Sequence, residues 1–123
     1  MFEGQMLMSG SEVFSPWIER GGDGLIVNAE CLAVSGATIK IEVFTRTESD
    51  SGPGSNADSA ATPTNITLSS VRRSQAEWVS SFGESVSLYQ LVRYKYTVTG
   101  TNAYDWILFR MLMPVWFDIE NAS

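Results

Sequence analysis

Two acidic side chains, one thiol and a set of aromatic rings are the groups here that could do chemistry. Glu30 and Glu42 sit in two strand-like stretches, Leu25–Val34 and Ala37–Thr47, joined by Ser35-Gly36. If those stretches pair as a hairpin, the two carboxylates can face each other, and a glycosidase needs two such groups about 5 to 10 Å apart. Lys40 and Arg46 stand beside Glu42, however, so the same positions read as an ion-paired, solvated sheet face, and that is the expectation. Cys31 alternates with Leu25, Val27, Ala29 and Ala33, the more apolar face of its strand, as a small buried core residue would. The chain contains no histidine. Its absence excludes Ser-His-Asp and Cys-His nucleophiles, imidazole bases and histidine-containing zinc sites. A single cysteine likewise excludes a Cys₄ zinc site or an iron–sulfur cluster within one chain. Glu48, Asp50 and Asp58 do not follow the EF-hand spacing. The expectation is no catalytic residue, no metal and no cofactor: not an enzyme.

The aromatic residues carry more information. The chain has 4 Trp, 4 Tyr and 6 Phe, and they concentrate in Tyr104-Asp105-Trp106-Ile107-Leu108-Phe109-Arg110-Met111-Leu112-Met113-Pro114-Val115-Trp116-Phe117. Tyr, Trp, Phe, Met and Arg are the types enriched where proteins meet. A strand apolar on both faces must be covered on both, by a second sheet or by a neighbouring subunit. Tyr104, Trp106, Leu108, Arg110, Trp116 and Phe117 are therefore candidate interface residues. Phe14, Trp17 and Ile18, a dense apolar group in an arm near the N-terminus, either plug the open end of the core or join these candidates by docking onto a neighbouring subunit. The alternative use of the rings is a flat platform for a sugar, built from Tyr89, Tyr94, Tyr96 and Trp106. Against it, aromatic rings are the ordinary filling of a sandwich core.

Charge narrows the partners. With 14 acidic against 8 basic residues the formal net charge is −6, which argues against a phosphate-backbone binder. Of the bases, only Arg72-Arg73 and Arg93/Lys95 fall close together, the second pair spaced to share one sheet face that is expected to be solvated. No apolar run approaches a membrane span. Met1-Phe2-Glu3-Gly4-Gln5 lacks the basic start and apolar run of a signal peptide, so the chain is expected to be made in the cytoplasm. Asn65-Ile66-Thr67 fits the glycosylation pattern but has no secretory context.

The elements that must position these residues are strands. Gln5–Met8 reads as a short first strand, and Val13–Ile18 as an edge piece, because Pro16 removes a backbone donor. Leu25–Val34 and Ala37–Thr47 read as an antiparallel hairpin. Ile39, Ile41, Val43 and Thr45 face one way in the second, and Lys40, Glu42, Phe44 and Arg46 the other. Glu48–Pro63 holds no large apolar residue and reads as a long polar loop. Thr64–Ser70 is a short strand with Ile66 and Leu68 on one face. Trp78 and Phe82 enter the core from an irregular or strand-like piece. Val86–Val98 alternates strictly apart from Gln90, and reads as the first arm of a long hairpin that turns at Gly100-Thr101-Asn102 into Tyr104–Met113. Strands about ten residues apart predict an all-β, antiparallel, jelly-roll-like β-sandwich of about seven or eight strands. It is expected to form one domain over residues 1–123, with an apolar arm or edge strand at 1–20 and a polar loop at 48–63.

A domain of this kind, without catalytic groups, is expected to work by packing against other protein subunits, as a homo-oligomer or in a larger assembly. It is expected to bind neither nucleic acid nor membrane. In architecture and composition the chain resembles small β-sandwich accessory proteins of virus and phage particles, such as decoration, cement or minor coat subunits. No signature motif underlies that likeness. A carbohydrate-binding or adhesin-like module is the alternative.

Overall fold

A computed structural model describes residues 4–22, 24–49, 52, 54–56, 65–79 and 90–117. Most of the 48–63 loop, with Asp50 and Asp58, lies outside the described residues, as do Phe82 and Val86–Tyr89. The described residues form strands and no helix: β1 (Gln5–Met8), β2 (Glu12–Phe14), β3 (Ile18–Glu19), β4 (Gly24–Ser35), β5 (Ala37–Arg46), β6 (Ser55–Asn56), β7 (Ile66–Leu68), β8 (Arg73–Val79), β9 (Leu91–Gly100), β10 (Trp106–Met111) and β11 (Val115–Phe117).

These strands pair antiparallel throughout and build two sheets, with one isolated parallel bridge between Gly36 and Trp106. In the first sheet β10 lies between β1 and β4; β11 continues along the same edge of β4, and β8 covers the other edge. In the second sheet β9 lies between β5 and an edge formed by β2 and β3, while β6 and β7 share the far edge of β5. The expected antiparallel β-sandwich is therefore present. Among the described residues the strands number eleven and exceed the seven or eight expected, in part because two lanes are interrupted. Ser15-Pro16-Trp17 separates β2 from β3, and Leu112-Met113-Pro114 separates β10 from β11, each break carrying a proline that cannot donate to a ladder.

The two expected hairpins are not hairpins. β4 pairs with β10, β11 and β8, whereas β5 pairs with β9, β6 and β7, so Ser35-Gly36 carries the chain from one sheet to the other. The turn at Gly100-Thr101-Asn102 does the same, sending β9 into the second sheet and β10 into the first. Gly36 has φ +74°, and a Cβ there would lie 2.7 Å from Asp105 Oδ1. Asp105, itself buried, accepts hydrogen bonds from the Asn102 N–H at 3.1 Å and the Thr101 hydroxyl at 3.4 Å. Its main-chain carbonyl accepts the Ser9 N–H at 2.8 Å. Three crossings (β1 to β2, β4 to β5, β9 to β10) thus meet at one corner around a single aspartate.

Periodicity set which side of each strand turns inward. The core between the sheets holds Leu25, Val27, Ala29 and Cys31 of β4, with Ile39, Ile41 and Val43 of β5. Val92, Tyr94, Tyr96 and Val98 of β9, with Ile107, Phe109 and Met111 of β10, complete its centre. Tyr96 and Phe109 meet across it with ring centres 5.2 Å apart.

Candidate protein interface

β10 divides its side chains between two environments. Ile107, Phe109 and Met111 are wholly buried in the core, whereas Trp106, Leu108 and Arg110 stand on the outer face of the first sheet, half-buried. Register places Met8 opposite Trp106 and Met6 opposite Leu108. Between Leu108 and Phe109 the ladder with β4 slips, so that Leu108 faces Ala33 and Phe109 faces Cys31. Leu32 is the extra residue of this bulge and is pushed outward. The result is an outward apolar patch with Met6 61%, Met8 44% and Leu32 38% exposed, beside Trp106 and Leu108. Isolated apolar residues on a surface are ordinary; a contiguous group is the pattern of an interaction site.

A charged band closes the patch on the β4 side. Glu30 lies between Arg110 and Arg73, each guanidinium 3.2 Å from one of its carboxylate oxygens. Glu42, by contrast, stands on the outer face of the second sheet with Lys40 3.7 Å away. The two carboxylates that a hairpin could have brought face to face are on opposite outsides of the sandwich, because β4 and β5 do not pair, and both are ion-paired. Among the described residues no group of three or more Cys, Asp and Glu side chains is arranged to hold a metal. Burial pushes the Cys31 thiol upward, away from the thiolate.

The other expected interface residues are scattered. Tyr104 is 82% exposed at the corner. Trp116 packs against the core, opposite Leu25, and Phe117 lies against Gly24, where any side chain would overlap its ring. Ile18 also packs against the core. Phe14 and Trp17 lie on the outer face of the second sheet, where the arm folds back over the chain's own cations. The Arg93 guanidinium carbon is 3.9 Å from the centre of the Phe14 ring and 4.3 Å from that of Trp17, and that of Arg46 is 4.7 Å from Trp17. Phe14 meets Phe44 edge-on at 5.4 Å. Lys95 pairs with Glu12 at 2.9 Å. Burial, and then the neighbouring Arg46, pull the Arg93 guanidinium below its ordinary value. Arg93 and Lys95 do share a face, but aromatic rings cover it where a solvated face was expected.

Of the rings proposed for a sugar, Tyr94, Tyr96 and Trp106 share no exposed face. Tyr94 and Tyr96 are buried between the sheets; Trp106 is on the outside of the opposite sheet, and Tyr89 lies outside the described residues. Met6, Met8 and Leu32 were not among the expected interface residues. Two methionines at alternate positions of a short uncharged strand were the available signal. Comparison with known protein families, with curated proteins and with solved structures finds no match for this chain.

Proposed function

We propose that this chain is a non-catalytic structural protein that packs against other protein subunits, as a decoration, cement or minor structural protein of a virus particle would. The observation that carries the reading is the outward patch of Met6, Met8, Leu32, Trp106 and Leu108. Met6, Met8 and Leu32 stay 38–61% exposed, while the core is filled by Ile107, Phe109 and Met111 from the other side of β10. Apolar area left in water is costly at about 25 cal/mol per Å², and covering it is what drives most protein–protein association. The surroundings suit a protein partner. Methionine adapts to irregular surfaces, and a flanking charged band supplies the polar rim of an interface.

The test is where the chain travels in material from its source. Wild-type protein should sediment with large particles, and Leu32→Lys/Leu108→Lys should move to the soluble fraction while keeping its melting temperature. Wild-type and variant chains that both remain soluble would overturn the reading.

A further inference from the structure

Among the described residues one edge of β1 has no strand beside it. We infer that two copies pair their β1 strands antiparallel about a two-fold axis at Met6, joining the two first sheets into one. This rests on the reading that the β1–β10 side of that sheet meets protein.

Backbone geometry sets the register. The Ser9 N–H donates to the Asp105 carbonyl, and β1 runs antiparallel to β10 with Leu7 opposite Ile107 and Gln5 opposite Phe109. Main-chain groups alternate in direction along a strand, so residues 5, 7 and 9 point toward β10 while those of Met6 and Met8 point away. The Met8 carbonyl, which accepts the Ser11 N–H at 3.0 Å in the following turn, agrees with that direction. No strand among the described residues pairs with this side of β1. The same alternation carried one step back turns Gly4 outward.

An edge whose outward groups belong to residues 4, 6 and 8 is self-complementary. Centred on Met6, a two-fold axis puts Met6 opposite its own copy as a hydrogen-bonded pair and Met8 opposite the copy's Gly4, where the Met8 N–H can donate while its carbonyl is held by the Ser11 N–H. Side chains agree with this register. A Cβ at Gly4 would lie 3.4 Å from both Leu108 Cδ1 and Leu32 Cδ1, so Gly4 leaves a side-chain gap beside two leucines. Met8 of the second copy is the residue opposite that gap, and a long flexible apolar side chain fills it. The two outward patches then become one continuous apolar surface.

Charge favours the same occupant. In a chain of net charge −6, copies repel unless they meet where charge is absent, and Gly4-Gln5-Met6-Leu7-Met8 carries none. It also carries no proline, lysine or bulge, the devices that keep edge strands apart. Among the described residues the nearest charges on that face, Arg110, Glu30 and Arg73, are ion-paired behind Leu108 and Leu32 and leave a single net positive charge.

Cysteine cross-linking of the full chain tests the pairing. Opposed residues of a hydrogen-bonded antiparallel pair have Cα atoms about 5.5 Å apart, within disulfide reach. Met8 and its symmetry copy would be about 13 Å apart, beyond it. Under mild oxidation Met6→Cys should form a covalent dimer at least about tenfold faster than Met8→Cys or Met113→Cys, as an intramolecular encounter would. Cys31 is wholly buried and stays out of the reaction. Met6→Pro removes an outward N–H from each copy and should weaken wild-type dimerisation, read by sedimentation equilibrium, by about tenfold or more. If that variant fails to fold, the cysteine series decides alone. A wild-type chain monomeric at every concentration, or Met6→Cys cross-linking no faster than Met113→Cys, overturns the pairing. Either result leaves the outward patch to a different protein, which the particle-sedimentation test reads separately.

Discussion

Leu108 and Phe109 are neighbours in one strand, and exchanging their fates in two variants separates folding from association. Phe109 is wholly buried and its ring meets Tyr96 at 5.2 Å. Phe109→Ala removes that contact and leaves a cavity, which costs about 3–5 kcal/mol in a core that relaxes only partly. A chain of 123 residues has a total stability on the order of 6–18 kcal/mol, so the loss is a large fraction of the whole. Leu108 is partly exposed on the outer face, and Leu108→Lys keeps its stem on the sheet while moving an ammonium into solvent, costing about 1 kcal/mol or less. Urea unfolding followed by tryptophan fluorescence reads both, at concentrations low enough that association adds nothing to stability. Phe109→Ala should lower the midpoint sharply and leave association of the remaining folded protein intact. Leu108→Lys should leave the midpoint nearly unchanged and abolish association. A Leu108→Lys loss above about 3 kcal/mol would refute the assignment of this residue to an outward face.

Other expectations follow from the corner, the tyrosines and the thiol. Gly36→Ala meets both an unfavourable φ and the Asp105 carboxylate, and should cost over about 1 kcal/mol in thermal melting, more than Gly10→Ala, which meets only the φ. Gly52→Ala, with open space around it, should be near neutral. Burial raises the Tyr96 phenol to about 12 and the Tyr94 phenol further still, with the charge of Tyr96 a secondary cause for Tyr94. Their neutral forms are favoured by folding, so this stability is fully present below the unfolded value near 10. It is lost as pH rises from there through the folded values, at about 1 kcal/mol per pH unit for each ring. Alkaline melts should show that loss. The Tyr94 hydroxyl is buried with no hydrogen-bond partner among the described residues, so Tyr94→Phe should be neutral or stabilising at pH 7 and should soften the alkaline loss. Thiol reagents should label Cys31 only in urea.

The face of each strand was legible, but the partner of each strand was not. Alternation in Ile39–Thr45 and Val92–Val98 marked the inward residues correctly, because burial of one side leaves a period of two in any half-buried strand. Nothing in that period distinguishes a hairpin from two strands in facing sheets. Ser35-Gly36 and Gly100-Thr101-Asn102 carry ordinary turn residues, and only Asp105, reaching Thr101, Asn102 and the position of Gly36, turns them into crossings. The same non-local pairing decided the candidate site. Phe14 and Trp17 looked like surplus apolar surface until β2 and β3 brought them over Arg93 and Arg46. Met6 and Met8 looked unremarkable until β1 joined β10 and aligned them with Leu108 and Trp106. Pro16 did mark a sheet edge, since a missing donor is a local property.

Methionine oxidation is the most direct measure of whether the outer face of the first sheet is covered in the setting where this protein works. Peroxide converts accessible thioethers to sulfoxides, and mass spectrometry reads each site. In the isolated chain at high dilution Met6, Met8 and the 68% exposed Met113 should oxidise readily, while buried Met111 resists. In material taken intact from its source, Met6 and Met8 should become as resistant as Met111 while Met113 keeps its reactivity. Oxidation of Met6 and Met8 at the same rate as in the isolated chain would contradict the assignment of that face to a protein partner.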